Sequence, residues 1–179
     1  MSDPIRHLLQ EHTHIMEQIA ELRAALRDLS ARRDAAVPDA LPVFRRIGQM
    51  METQLATHAR KEDDALFPAI ESMLGADGSP TGVMRMEHTH IHAQGELLRN
   101  TLHELNQIEH PQIEAGGAQL RALSVQGGDV AALRATAEEI ITLLDAHFDK
   151  EEHILFPMAE SLLDAQTLAD VAAKMEAIR

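Results

Sequence analysis

Apolar residues recur every three or four positions along most of this chain, the period of helices that bury one face. The first stripe is Ile5, Leu8, Leu9, Ile15, Ile19, Leu22 and Leu26. It follows Asp3-Pro4, an acid suited to the N-cap and a proline suited to the first helical position. The spacing predicts a first helix from Pro4 to about Arg33. Two prolines between Asp34 and Pro42 predict a linker. A second stripe, Val43, Ile47, Met51, Leu55 and Leu66, predicts a helix that kinks or restarts at Pro68. The run GADGSPTG, from Gly75 to Gly82, predicts a turn. A third helix is expected from about Val83 to Glu109, ending before Pro111. Gly116, Gly117, Gly127 and Gly128 bracket an expected weakly structured connection. Asp129 is a candidate cap for a fourth helix with the stripe Leu133, Ala137, Ile140, Leu144 and Leu155. Asp164 is a candidate cap for a short last helix over 165–178.

Four long helices with short tails predict an all-α fold, an up-down-up-down four-helix bundle. A single domain is expected over 1–179. The halves of that domain repeat each other, at about 4–74 and 83–162. LLQEHTHI and THARKEDDALFPAIESML in the first half return as MRMEHTHI and AHFDKEEHILFPMAESLL in the second. Each half therefore carries an EHTHI box and an H-x-x-x-E-x-x-x-LFP box. Pro157 repeats the place of Pro68.

Composition supports helices over sheets. Trp and Tyr are absent and only 4 Phe occur among 179 residues, so the 45% hydrophobic content is largely aliphatic and Met. The formal net charge of -13 argues against nucleic acid or an anionic membrane as a partner. With no Cys, disulfides, zinc-thiolate knuckles, iron-sulfur clusters and redox thiols are excluded within this sequence. No apolar run of 18 residues occurs, and the default expectation is a soluble cytoplasmic chain. A homodimer is compatible with the sequence.

The candidate chemistry follows from phase on each helix. At about 100° per residue, His12 falls within the first stripe and His14 nearly opposite it. His58 and Glu62 are four apart, in line with Leu55 and Leu66, and His147 and Glu151 repeat that relation in line with Leu144 and Leu155. His88 sits at the edge of the Ile91/Leu98/Leu102 stripe. Burying imidazoles and carboxylates is costly unless they are partnered. A duplicated His/His/Glu set across two facing helix pairs suits two metal ions, and imidazole with carboxylate suits Fe, Mn and Zn. A rival set uses Glu11-x-x-His14 and Glu87-x-x-His90, the Glu-x-x-His of ferritin-like carboxylate bundles. The phase of His14 speaks against it. His7, His103, His110 and His153 read as surface residues.

The pattern resembles the hemerythrin-like, or HHE cation-binding, domain. The residues that carry the resemblance are Glu11-His12 with Ile15, His58-x-x-x-Glu62 with Leu66-Phe67-Pro68, Glu87-His88 with Ile91, and His147-x-x-x-Glu151 with Leu155-Phe156-Pro157. The resemblance covers about residues 4 to 162. It implies a four-helix bundle around a non-haem di-iron centre, two Fe ions with a bridging oxo or hydroxo group, with Zn or Mn as substitutes. It implies His12, His58, His88 and His147 as terminal ligands and Glu62 and Glu151 as bridging carboxylates. His92, four residues after His88, matches the His-x-x-x-His of oxygen-carrying hemerythrins, which implies a fifth His ligand. The expected partner is O2, peroxide or NO. The alternatives are a non-catalytic iron- or oxygen-sensing or storage module and a structural Zn or Mn bundle. Di-iron proteins of iron-sulfur cluster repair also resemble the chain, but they carry an N-terminal Cys-containing domain not found in it.

Overall fold

The computed structural model describes residues 3–75, 79–113 and 127–178. Among the described residues every regular element is helical. Helix α1 spans Pro4–Arg32, and Asp3 caps it by accepting from the backbone N–H of Ile5 and Arg6. A 3-10 turn, Arg33–Ala36, leads into α2, Val37–Met50. The expected linker over Asp34 to Pro42 is therefore mostly helix. Pro38 lies in the first turn of α2, where its missing N–H would have no partner anyway, and Pro42 sits only one turn further in.

The second helical arm continues through α3, Ala56–Lys61, and α4, Phe67–Leu74. Then come α5, Thr81–Ile113, α6, Gly127–Lys150, α7, Phe156–Leu162, and α8, Ala165–Ala177. Helix α5 runs past Pro111, which falls in its last turn, where one lost N–H bond ends a helix rather than preventing it. Helix α6 begins two residues before Asp129. Gly116 and Gly117 lie outside the described residues. Asp164 does cap α8, accepting from the N–H of Thr167 at 2.8 Å.

The expected breaks at Pro68 and Pro157 are wide turns rather than kinks. Glu62–Leu66 and Glu151–Leu155 are π-helical, and the N–H of Phe67 and Phe156 reach back five residues to the carbonyls of Glu62 and Glu151. Each proline removes an N–H and its ring crowds the carbonyl four residues back; widening the turn accommodates both. A third π turn, Met51–Leu55, has no counterpart among the described residues of the second half. Gly95 of α5 lies against it: a Cβ there would sit 3.1 Å from Met51 Cε, so this crossing admits no larger residue without displacing Met51.

Helix α1 packs on α2, α2 on α5, α5 on α6, and α6 on α1, closing a ring of four arms. Helix α8 packs back on α1 and on the Glu62–Leu66 turn through Val171, Ala172 and Met175. Inside lie two apolar clusters. One includes Ile15, Leu22, Phe44, Ile47, Leu98, Ile140 and Phe148; the other includes Ile5, Leu8, Leu66, Phe67, Ile70, Phe156 and Met175. The buried polar residues His12, His58, Glu62, His88, His147 and Glu151 belong to neither cluster.

Candidate metal centre

Helix phase delivers the polar layer. His12 follows Leu8 by one turn on α1, and His58 and His147 lie one turn before the π turns that open with Glu62 and Glu151. Ligand atoms of His12, His58, Glu62 and Glu151 all lie within 4.8 Å of one another, and those of Glu62, His88, His147 and Glu151 do the same. The two carboxylates are common to both groups. The imidazole Nε2 atoms of His12 and His58 are 3.0 Å apart. Nε2 of His147 is 3.0 Å from Glu151, and Nε2 of His88 is 3.3 Å from Glu62.

Every one of the four rings is oriented from behind by a carboxylate. Nδ1 of His58 donates to Glu11 and Nδ1 of His147 donates to Glu87, each at 3.0 Å. Nδ1 of His12 donates to Glu152 at 2.8 Å, and Nδ1 of His88 to Asp63 at 3.2 Å. Lys61 donates to Glu11 and Lys150 to Glu87. A proton kept on Nδ1 leaves the Nε2 lone pair facing inward, the tautomer a ligating imidazole needs.

These partners follow the repeat. In Lys61-Glu62-Asp63 and Lys150-Glu151-Glu152, the Lys supports the carboxylate behind its own half's His. The central Glu enters the layer. The last acid reaches a ring of the other half. Sequence reasoning overlooked this use of Lys61, Asp63, Lys150 and Glu152. Its only signal was the repetition of Lys-Glu-acid beside the predicted ligands. Glu11 and Glu87 behave as acceptors for His58 and His147, which removes them from the Glu-x-x-His alternative. His14 and His90 point outward, with side chains 64% and 52% exposed.

His92 lies outside both groups. It is exposed and lines the same cleft as His88. Four residues advance a helix by about 40° beyond a full turn. From His88, already at the edge of the stripe, that rotation carries His92 away from the layer. His7, His103 and His153 are exposed; the side chain of His110 lies outside the described residues.

The charges within the layer are unbalanced. Burial and the neighbouring charge of Glu151 push Glu62 well above the usual carboxylate range. Burial also opposes ionisation of Glu151, but His12, His147 and His88 outweigh it and hold Glu151 well below that range. Burial lowers His58. It also acts against the charge on His88, yet Asp63, Glu151 and Glu62 prevail and push that imidazole up to about 11. Glu11 is held at about 2: burial resists, but His58 and Lys61 prevail.

Both side-chain oxygens of Glu62 and Glu151, and Nε2 of His88, are buried without a hydrogen-bond partner. The nearby imidazole nitrogens stand at hydrogen-bonding distance but are not aligned to donate. Each such orphan costs roughly 1–3 kcal/mol, more if charged. Five of them in one layer, together with the inward-facing imidazole nitrogens, are what a cation would satisfy, and the donor set is the imidazole-carboxylate mix suited to Fe, Mn or Zn.

An all-helical chain with a buried His/Glu layer able to hold cations defines a class of helical metal-binding proteins. Within it, the hemerythrin HHE cation binding domain matches residues 3–123 and 107–178, and the chain belongs to that family. It is also similar to the iron-sulfur cluster repair protein YtfE of Escherichia coli O81 (strain ED1a), 27% identical over 163 residues, and to that of Escherichia coli O157:H7, 26% identical. Each match covers 89% of this chain, which spans 66% of the length of those relatives. No solved structure matches. Among the described residues no helix is long and apolar enough to cross a membrane.

Proposed function

We propose that this chain holds two iron ions in the shared layer, one with His12 and His58, one with His88 and His147, and both with Glu62 and Glu151. The bound pair would serve to bind or react with O2, peroxide or NO. The observation that carries the reading is the convergence of six buried ligand residues whose carboxylate oxygens lack any other partner. The four arms would run alternately up and down as one domain built from two related helix pairs, which is how the duplicated boxes come to face one another.

Iron, when bound, supplies one-electron redox change and coordination of a small ligand. The chain supplies the rest. Glu11, Glu87, Asp63 and Glu152 hold each imidazole with Nε2 inward. Glu62 and Glu151 offset the charge of two divalent ions. Phe148 and Phe156, stacked near His12, and Phe67, stacked near His88, would cover one face of those rings. With no Tyr or Trp, no aromatic radical relay forms within the sequence.

Anaerobic loading with ferrous ion, followed by metal analysis and optical titration with O2 and then NO, tests the reading. Two irons per chain and a ligand-dependent charge-transfer band are expected. Fewer than one iron bound, or a spectrum blind to both gases, overturns it. A role in iron-sulfur cluster repair is a second reading, favoured by the similarity to YtfE across 89% of this chain. Transfer of the bound iron to an apo iron-sulfur protein is the result it requires.

A further inference from the structure

Each imidazole of the layer rests on a carboxylate, and three of those four carboxylates rest in turn on a cation. Lys61 donates to Glu11 behind His58, and Lys150 to Glu87 behind His147. Nη1 of Arg85 donates to Oδ1 of Asp63 at 3.1 Å, the same oxygen that accepts from Nδ1 of His88. Among the described residues Glu152, behind His12, has no Lys or Arg partner. The difference shows just ahead of the two EHTHI boxes. Arg85 stands three residues before His88, and the matching place before His12 is Leu9.

Arg85 reaches more than Asp63. Its Nη2 lies 3.5 Å from Oε1 of Glu71 on α4, an oxygen that also accepts from Thr81 at 2.6 Å. Its guanidinium carbon sits 5.2 Å from the centroid of Phe67, and the ring of Phe67 stacks on that of His88 at 5.7 Å and 11°. One side chain therefore meets both of the groups that orient His88 from outside the layer. A fork shared between two carboxylates and set over a ring is a task for the planar guanidinium. His88 has the greatest need of it, being 9% exposed against 1% for each of the other three rings. His12, by contrast, is held by close stacking on Phe148, at 3.8 Å between centroids.

We infer that Arg85 is a positioning residue for the metal centre: by clamping Asp63 and Phe67 it fixes the His88 imidazole with Nε2 turned toward Glu62 and Glu151. This rests on the metal-pair reading above. As an ion pair alone Arg85 would matter little to folding, because its side chain is 38% exposed. As a charge alone it would weaken the binding of a nearby cation. Removing it should therefore tighten metal binding if charge is all it contributes, and loosen binding if it positions a ligand.

Co(II) titration of the full chain tests this, because the visible bands of Co(II) report the ligands and geometry around the ion. The unaltered chain should bind two equivalents. In Arg85→Gln one equivalent should bind about tenfold more weakly, the lower end for loss of a partner that orients a ligand, and its bands should shift. Arg85→Lys, which keeps the charge but does not span Asp63 and Glu71, should fall between the two. Arg99→Gln removes a cation of the same cleft that pairs with Glu52 instead, and should neither weaken binding nor shift the bands. In an Asp63→Asn background Arg85→Gln should lose most of its effect, since it acts through Asp63. An Arg85→Gln protein that binds both equivalents as tightly as the unaltered chain, or more tightly, would overturn the inference. So would an equal weakening with and without Asp63. Should Arg85→Gln not fold, Arg85→Leu, with the side chain found ahead of the first box, takes its place in the same comparisons. Failure of the unaltered chain to bind two equivalents would instead overturn the metal-pair reading.

Discussion

Leu66, Phe67 and Ile70 are fully buried, and so are Glu62 and Glu151. The first three meet other apolar side chains and stabilise the fold by leaving water. The two Glu meet each other and four imidazoles, and none of their oxygens has a hydrogen-bond partner. Equal burial thus has opposite energetic sign in neighbouring turns of one chain. The apolar clusters are self-sufficient, whereas the polar layer depends on something that the chain binds. This contrast makes the layer a site rather than an unusual piece of core.

Substitutions should separate the two regions, and the largest effect is expected at the layer. His58→Ala should abolish stoichiometric metal binding and remove the thermal stabilisation that metal confers. His14→Ala should leave both unchanged, since its side chain is exposed. Metal analysis and melting curves with and without chelator check the pair; metal loss in the His14 variant alone would restore the Glu-x-x-His alternative.

Next in size is Phe44→Ala in the larger apolar cluster, where the side chain is 1% exposed. It should cost about 3–5 kcal/mol in denaturant unfolding. The cost should be the same with and without metal, because apolar packing needs no ion.

Glu62→Leu should change sign with metal. In ion-free protein it removes two orphaned oxygens and should raise unfolding free energy by about 1–3 kcal/mol. In metal-loaded protein it removes a shared ligand and should lower it. Destabilisation under both conditions would mean that the layer is already satisfied without an ion.

The smallest effect concerns acid. Glu11, held at about 2 by His58 and Lys61 against burial, has a folded pKa below its ordinary value of 4.5. Its contribution is complete above about pH 4.5 and is lost as pH falls toward 2, because protonation then favours the unfolded chain. The loss of stability over that window should be shallower in Glu11→Gln. Identical acid-unfolding curves would show that Glu11 is not bound as the geometry requires.

Much of this was legible in the chain itself. The 3.6-residue stripes located the long helices, because a helix must bury one face to persist. The same phase argument placed His12, His58, Glu62, His147 and Glu151 inward, His88 at the edge of its stripe and His14 outward; the first six are buried, His88 least, and His14 is exposed. Prolines were less readable. Pro38, Pro42 and Pro111 suggested breaks, yet each lies within a helix; Pro38 and Pro111 fall in a first or last turn, where a proline gives up little, and Pro42 is tolerated one turn inside α2. Pro68 and Pro157 are accommodated by π turns, which no periodicity announces because they alter hydrogen bonds without moving the stripe far.

What the sequence determined by itself is therefore whatever depends on one helix at a time: the stripes, the i and i+4 pairs, and the repetition of the boxes. Tertiary structure alone decided relations between helices. It set Glu11 behind His58, Asp63 behind His88 and Glu152 behind His12, partners 47, 25 and 140 residues apart. It also opened the cleft beside His88 while enclosing His12, and turned His92 out of the layer. Such contacts depend on how far each arm is rotated and how closely it approaches its neighbour. Those quantities arise only when all four arms pack together.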